Sequence, residues 1–331
     1  MLNVGKLDSE LLKKLVFENM TFKREEVLAR PGIGEDCAVV DYGEYECVLS
    51  TDPITAAVEN IGHLAVNISC NDIASNGIEP LGILLAVMLP VGTTEEQIEL
   101  MIKQAGETGK KLGVEIIGGH TEITFAVNQP VIVSTAVGRG LKGSSENAAK
   151  METGDFILIT KAAGIEGTSI IAEEKDLSDI LSSEEIEVAR GFSESVSVVK
   201  EGIIAGKIGT HGMHDITEGG VLGAVWEMCQ IAGLGCEIYR KEIPVDDITL
   251  KICDKFDINP LRLISSGSMM IACSGEQKKE LMERITEEGI QCTCIGKVMD
   301  KDFGIKFDSG DVVSPPGADE LYKAIDRRAH V

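Results

Sequence analysis

The chain has 331 residues, 44% of them hydrophobic and 26% charged, which is enough for about two domains with large cores. With 31 Lys and Arg against 54 Asp and Glu, the formal charge is −23. A surface this acidic repels nucleic-acid phosphates and anionic membranes, and 4% aromatic residues offer no stacking platform, so neither class of partner is expected.

The nine cysteines lie in apolar segments without a C-x-x-C, and read as small buried hydrophobes in a reducing compartment. Cys292 and Cys294 form C-x-C within a run that reads as a packed strand. Lys6, Asp8 and Glu10 interrupt any apolar N-terminal run, and no uncharged apolar stretch approaches about 18 residues. A cytoplasmic location is expected.

In chain order, residues 9–20 have helical spacing, and the loop Pro31-Gly32-Ile33-Gly34-Glu35-Asp36 leads into short strands at 37–41 and 46–51. The spacing predicts a helix over 61–76, with His63, Asn67 and Asn71 on one face and Leu64, Ile68 and Asp72 on the next, a core helix showing one edge to a site. A buried strand follows at 81–89. Thr94-Glu95-Glu96-Gln97 is a capping box opening a helix that stops near Gly113. Strands are expected at 114–118 and 130–137, the first ending in a glycine turn at Gly118-Gly119.

Residues 138–154 lack apolar periodicity and place the domain boundary, giving domains at 1–142 and 150–331. Beyond it the sequence predicts a strand at 156–160, helices near 184–205 and 218–232, a β-α-β run over 268–298 and a short polar helix in 315–331. The fold class is mixed α/β (α+β) in two domains.

Gly138-Arg139-Gly140-Leu141-Lys142-Gly143 fits G-x-G-x-x-G after a strand, but no amphipathic helix follows, so it reads as a linker rather than a dinucleotide loop. No P-loop and no kinase-type catalytic loop is present. Acids instead recur where an apolar element meets a Gly, Asn or Pro break: Asp36, Asp52, Asp72 and Glu122. Singly, each reads as a local cap or turn residue. If they converge, repulsion between them calls for a cation; magnesium, which takes carboxylate oxygens, waters and phosphates, fits, and the chemistry implied is phosphoryl transfer from ATP.

In the second domain, His211-Gly212-Met213-His214-Asp215-Ile216-Thr217-Glu218-Gly219-Gly220 precedes a helix. It reads either as an anion site with His214, Asp215 and Glu218 as acid, base or orienter, or as a capped helix start. Ser265-Ser266-Gly267-Ser268 reads as a phosphate nest or as a plain turn.

These segments in this order resemble the aminoimidazole-ribonucleotide-synthase (PurM-like) superfamily, nearest its HypE-like branch. The matching stretches are PGIGEDCAVV at 31–40, STDPIT at 50–55, AVNISCNDIASNGIEP at 65–80, IGGHTEIT at 117–124, KAAGIEGTSI at 161–170, MHDITEGGVLG at 213–223 and LISSGSMMIA at 263–272. The resemblance implies a homodimer whose first domains close a shared β-barrel, a second α/β sandwich domain, and Mg-ATP held by Asp36, Asp52 and Asp72 with Asn71 beside them. It further implies that the turn Gly118-Gly119, with His120 and Thr121, approaches the phosphates, and that the segment around Gly5 and Lys6 closes over the nucleotide. The 213–220 loop would face an acceptor that ATP activates. That acceptor is a carbamoylated C-terminal cysteine in the HypE branch, with a metallocentre-assembly protein as a possible partner. A small-molecule kinase resembling thiamine-monophosphate kinase, or a scaffold that retains ATP binding, are the alternatives. Three departures stand out. The sequence ends Asp326-Arg327-Arg328-Ala329-His330-Val331 without a cysteine, so self-dehydration by that route is not expected. His120 stands where many relatives carry an acid, with Glu122 as substitute. Glu218 stands where HypE-like proteins often carry Arg, which argues for a different substrate.

Overall fold

In the computed structural model, residues 7, 9–55 and 60–325 are described. The first half starts with α1 (Ser9–Leu15), shorter than its periodicity predicts: an exposed 3-10 turn at Phe17–Asn19 replaces the second half, where no packing rewards helix extension. β1 (Val27–Ala29), β2 (Ala38–Tyr42) and β3 (Tyr45–Ile54) form a meander. Then come α2 (Ile61–Ser75), β4 (Pro80–Leu89), α3 (Glu95–Leu112), β5 (Glu115–Ile123) and β6 (Val131–Leu141). The capping box at Thr94 forms as predicted, and Gly113 ends α3 in the left-handed region at φ 73°.

The strands make one six-stranded sheet in the order β1-β2-β3-β6-β4-β5, antiparallel except for β4–β5. Helix α2 packs on one face: Val48, Ile83, Leu85, Val87, Leu89, Ile132 and Ala136 form a core with Ile61, Ala65, Val66 and Ile73. On the other face, which carries Leu84, Ala86, Val133, Thr135 and Thr51, no helix packs among the described residues, and Leu81 and Leu84 are 47% and 39% exposed.

One expectation is corrected here. Gly118-Gly119 is not a turn ending a strand; β5 continues through it to Ile123, with a shift of register at Ile117 just before it. A Cβ on Gly119 would lie 1.9 Å from the Leu85 carbonyl oxygen, so glycine lets the parallel strands close.

The second half comprises β7 (Phe156–Thr160), α4 (Ile165–Glu174), α5 (Ser183–Gly191), α6 (Val199–Ile208), β8 (Gly212–Asp215), α7 (Gly220–Ala232), β9 (Gly235–Ile238), α8 (Asp247–Phe256), β10 (Met269–Cys273), α9 (Gly275–Glu287), β11 (Cys292–Met299), β12 (Ile305–Phe307) and α10 (Leu321–Ala324). Its sheet runs β12-β9-β11-β7-β10-β8. The predicted β-α-β run exists as β10-α9-β11, but β7 is inserted between its strands and pairs antiparallel with both. Helix α7 covers one face, and α6 and α9 the other. The single helix expected over 184–205 is split, because Asn71 accepts from the Val198 N–H (2.8 Å) and donates to the Val196 carbonyl (2.8 Å), holding this stretch out of the helical ladder.

The polar stripe on α2 thus faces the second domain. His63 Nε2 lies 3.1 Å from the Ser193 carbonyl and Nδ1 2.9 Å from Thr108 Oγ1, and Asn67 donates to the His63 carbonyl. Helix α6 crosses α2 closely: a Cβ at Gly202 would be 2.4 Å from the Ala74 oxygen, and one at Gly206 2.5 Å from Gly77 Cα. Val199 of α6 belongs to the first core while Ala205 belongs to the second, so one helix is shared by both. All nine cysteines are free thiols. Among the described residues, no helix is long and apolar enough to cross a membrane.

Candidate active site

Strand β8 lies at the edge of the second sheet and docks against the C-terminal half of α2, where Ser75 donates to Asp215 Oδ1 at 3.4 Å. This seam brings acids from three separate segments to one cleft, lined by Glu35 and Asp36, by Asp72, and by Glu146, with Gly34, Ser75, Asn76 and His214 among the others. Asp36 comes from the loop before β2. A Cβ at Gly34 (φ 77°) would lie 2.7 Å from Ile231 Cδ1 of α7, so this glycine seats the loop on the second domain. Asp52 comes from β3 and Asp72 from α2, and Ser50 on β3 reaches both carboxylates, with Oγ 3.3 Å from Asp52 Oδ2 and in a short hydrogen bond to Asp72 Oδ2.

The electrostatics are those of crowded like charge. Burial, then Asp215, Asp52 and Asp36, raise the Asp72 carboxyl well above the usual range. Burial and Asp36 raise Glu35. Burial pushes the His214 imidazole down, but Asp36, Glu227 and Asp215 more than reverse it, to about 10. Asp36, His214 and Asp215 bring ligand atoms within 4.8 Å of one another.

Other expected residues lie elsewhere. Asn71 is fully buried, and both ends of its amide are spent on Val196 and Val198. Glu122 is not brought to Asp52 and Asp72. Asp52 lies in the row Asp52–Ser134–Leu85–Gly119 on the helix-covered face, whereas His120 and Glu122 pair with Ala86 and Met88 on the open face. Three inter-strand steps of about 4.8 Å put β5 about 14 Å from β3. His120 and Glu122 instead lie 3.5 Å apart on the exposed edge. Thr121 pairs with Val87 on the opposite face of the strand, and Gly5 and Lys6 lie outside the described residues.

Glu218 accepts from the Tyr322 hydroxyl at 3.0 Å. The Gly219 N–H expected as an anion site donates to Asp319 Oδ2 at 2.7 Å, so a carboxylate of this chain fills it. Asp319 also accepts from Ile264 and Leu321 N–H, yet burial keeps its carboxyl up at about 6. The 265–268 turn donates from the Ser266 N–H to Glu166, which burial raises to about 7. The linker glycines are packing residues: a Cβ at Gly138 would meet Ile73 Cγ2 at 2.5 Å, and buried Glu46 accepts from Gly143 (2.9 Å) and Ser145 (2.6 Å) N–H.

Sequence reasoning did not single out Ser50, Ser75, Glu166 or Glu227. Glu227 carried a signal: it is the only charged residue in the helix GVLGAVWEMCQIA.

A two-domain α/β protein with an acid-lined seam between its domains is the class this geometry defines. Residues 34–140 match the AIR synthase related protein N-terminal domain and residues 152–308 its C-terminal domain. The chain belongs to the AIR synthase related family. It is 28% identical over 295 residues (86% of this chain, 84% of the relative) to a Methanocaldococcus jannaschii protein named for hydrogenase expression/formation. It is 26% identical over 250 residues (73% and 71%) to carbamoyl dehydratase HypE of Bradyrhizobium diazoefficiens. Solved structures share the fold: a ThiL protein complexed with AMPPCP and TMP (TM-score 0.75, 19% identity, 96% and 99% covered) and HypE in complex with ATP (0.72, 20%, 97% and 98%). A chain of a HypE–HypF complex aligns with TM-score 0.71 at 22% identity, covering 92% and 99%.

Proposed function

We propose that this chain is a HypE-like hydrogenase-maturation enzyme that binds Mg-ATP at the domain seam and uses it to activate an acceptor. The observation that carries the reading is the gathering of Asp36, Asp52 and Asp215, far apart in sequence, close enough to Asp72 to raise its carboxyl. The donor set at Asp36, Asp52 and Asp72 is all oxygen, which suits magnesium, and the raised Asp72 carboxyl marks crowding that a cation relieves. Bound magnesium would neutralise phosphate charge. Ser50 fixes two of the carboxylates, Gly34 lets the loop approach, and His214 and Asp215 form the second-domain wall.

The open face of the first sheet is where a second copy packs in this reading, as a homodimer, bringing Gly118, Gly119, His120, Thr121 and Glu122 of edge strand β5 to the nucleotide across the interface. Gly5 and Lys6 close over it, Asn71 braces the seam, and Glu218 with Glu166 lines the acceptor side. The functional units are 1–142 and 150–331, working in the cytoplasm with a metallocentre-assembly protein as partner. A second reading, a small-molecule kinase, is favoured by the similarity to the ThiL complex.

Calorimetric titration of the full chain with a non-hydrolysable ATP analogue and Mg2+ tests nucleotide binding. Wild type binds and Asp36→Asn loses at least tenfold; equal affinity sinks the reading. Phosphorus NMR of turnover then separates a kinase, whose phosphate stays on the product, from a dehydratase, which releases it.

A further inference from the structure

We infer that Lys161 is a positioning residue: its ammonium fixes the 265–268 turn, and through that turn the Glu166 carboxylate on the acceptor side and the strand end beside Asp215. The inference rests on the reading of this side of the seam as the acceptor side, and one arm of its test needs no nucleotide.

Lys161 directly follows β7 with φ 55°, in the left-handed region that favours glycine. Among the described residues, the other non-glycine residue with positive φ is Asp257, which ends α8. A glycine would take this backbone without strain, so the lysine side chain must offset what the conformation costs. Its ammonium has three N–H donors, and each finds an acceptor at 2.6 Å: the Ser197 carbonyl, the Gly267 carbonyl and Glu201 Oε1. Glu201 lies on α6, is 1% exposed and also accepts from the Thr160 hydroxyl at 3.3 Å. That hydroxyl in turn accepts from the Met269 N–H at 3.0 Å. One cation thus ties together the end of β7, the start of α6 and the turn into β10.

The groups held by that turn give the lysine its role. Gly267 (φ 105°) is pressed on the stretch before α6: a Cβ there would lie 2.4 Å from the Ser195 oxygen. This is the stretch that Asn71, the neighbour of Asp72, holds through Val196 and Val198. On the other side of the turn, the Ser266 N–H donates to Glu166 Oε2 at 3.2 Å, and the Ser268 carbonyl accepts from the Ile216 N–H at 2.9 Å, next to Asp215. Two hydroxyls of the turn are spent on the 162–164 backbone: Ser265 Oγ accepts from the Gly164 N–H at 2.9 Å, and Ser268 Oγ donates to the Ala162 carbonyl at 2.6 Å. Toward α6 and α2 the turn is gripped at Gly267, and the side chain that bonds it there is Lys161. Loosening that grip frees Glu166 and the end of β8 while leaving Asp36, Asp52 and Asp72 of the first domain in place.

The test compares wild type with Lys161→Met/Glu201→Gln in the full chain. Lys161→Met alone would strand the buried Glu201 charge and weaken the fold whatever the lysine positions. Removing both charges avoids this, and the glutamine keeps an acceptor for Thr160. In hydrogen exchange, peptides spanning 264–268 and 214–217 exchange at least tenfold faster in the double variant, while those of β4 and α3 keep their wild-type rates. In turnover, phosphate release from Mg-ATP loses at least tenfold in kcat with the affinity for a non-hydrolysable analogue unchanged, a split that a pair serving stability alone would not produce. Unchanged exchange in those two peptides of the folded double variant, or unchanged kcat, overturns the inference. If wild type neither binds nor cleaves ATP, the nucleotide reading fails and the exchange result alone decides this one. If the double variant does not fold, Lys161→Arg takes its place with the same readouts: it keeps a charge beside Glu201, but a planar guanidinium does not reproduce three contacts around one nitrogen.

Discussion

Replacing Asp72 by Asn keeps shape and the acceptor for the Ser50 hydroxyl while removing one charge from the crowded seam. Asp52 and Asp72 share that hydroxyl, so their carboxylates lie about 5 Å apart; at an effective dielectric of about 20 they repel by about 3 kcal/mol. Part of this is already relieved, since Asp72 holds its proton to a higher pH than an ordinary carboxylate. We therefore expect Asp72→Asn to be more stable than wild type by about 1–3 kcal/mol at pH 8 without metal. Mg-ATP at about 100 times its dissociation constant stabilises a binding protein by about 2.7 kcal/mol. Wild type gains this in urea denaturation and Asp72→Asn does not. A variant less stable than wild type without ligand, or one with the full nucleotide-induced gain, refutes the picture of charges held in tension for a cation.

Other outcomes follow from the same structure. Gly206→Ala places a Cβ 2.5 Å from Gly77 Cα and should cost about 1–3 kcal/mol, read as a lower urea midpoint for both domains together. Glu46→Ala strands the Gly143 and Ser145 N–H groups and should cost about 2 kcal/mol by the same measurement. Glu166, raised from 4.5 to about 7, contributes stability in full below about pH 4.5 that is lost as pH rises through about 7. Glu166→Gln should therefore gain on wild type by about 3 kcal/mol between those pH values and stay level above them. Leu84→Glu, on the open sheet face, should halve the mass seen by light scattering if that face joins two copies.

The elements that the sequence made legible were those with their own signals. Helix α3 was bounded by its capping box and Gly113, and α2 by its period; β4 and β7 read as apolar runs. Strand β8 was not, because Gly-Met-His-Asp has no alternation and is buried on all sides. The break after α5 was hidden because it is made by Asn71, more than 120 residues away. At the site, the glycine-flanked acids were legible as a set. Their convergence with His214 was not, since it depends on the docking of β8 on α2, and Glu122 was grouped with the other acids because Gly118-Gly119 reads in sequence as a turn, whereas β5 continues through it.

Helix α6 gives some of its side chains to each core and presses its glycines on α2 with no room for a methyl group. Halves joined in this way cannot part like jaws without tearing both interiors, so whatever enters the cleft comes over its rim. Adaptation to new acceptors therefore falls to the surrounding loops, while the wall that bears His214 stays fixed. Nor should either half survive alone: cutting the chain between β6 and β7 would leave each fragment with an unfinished interior.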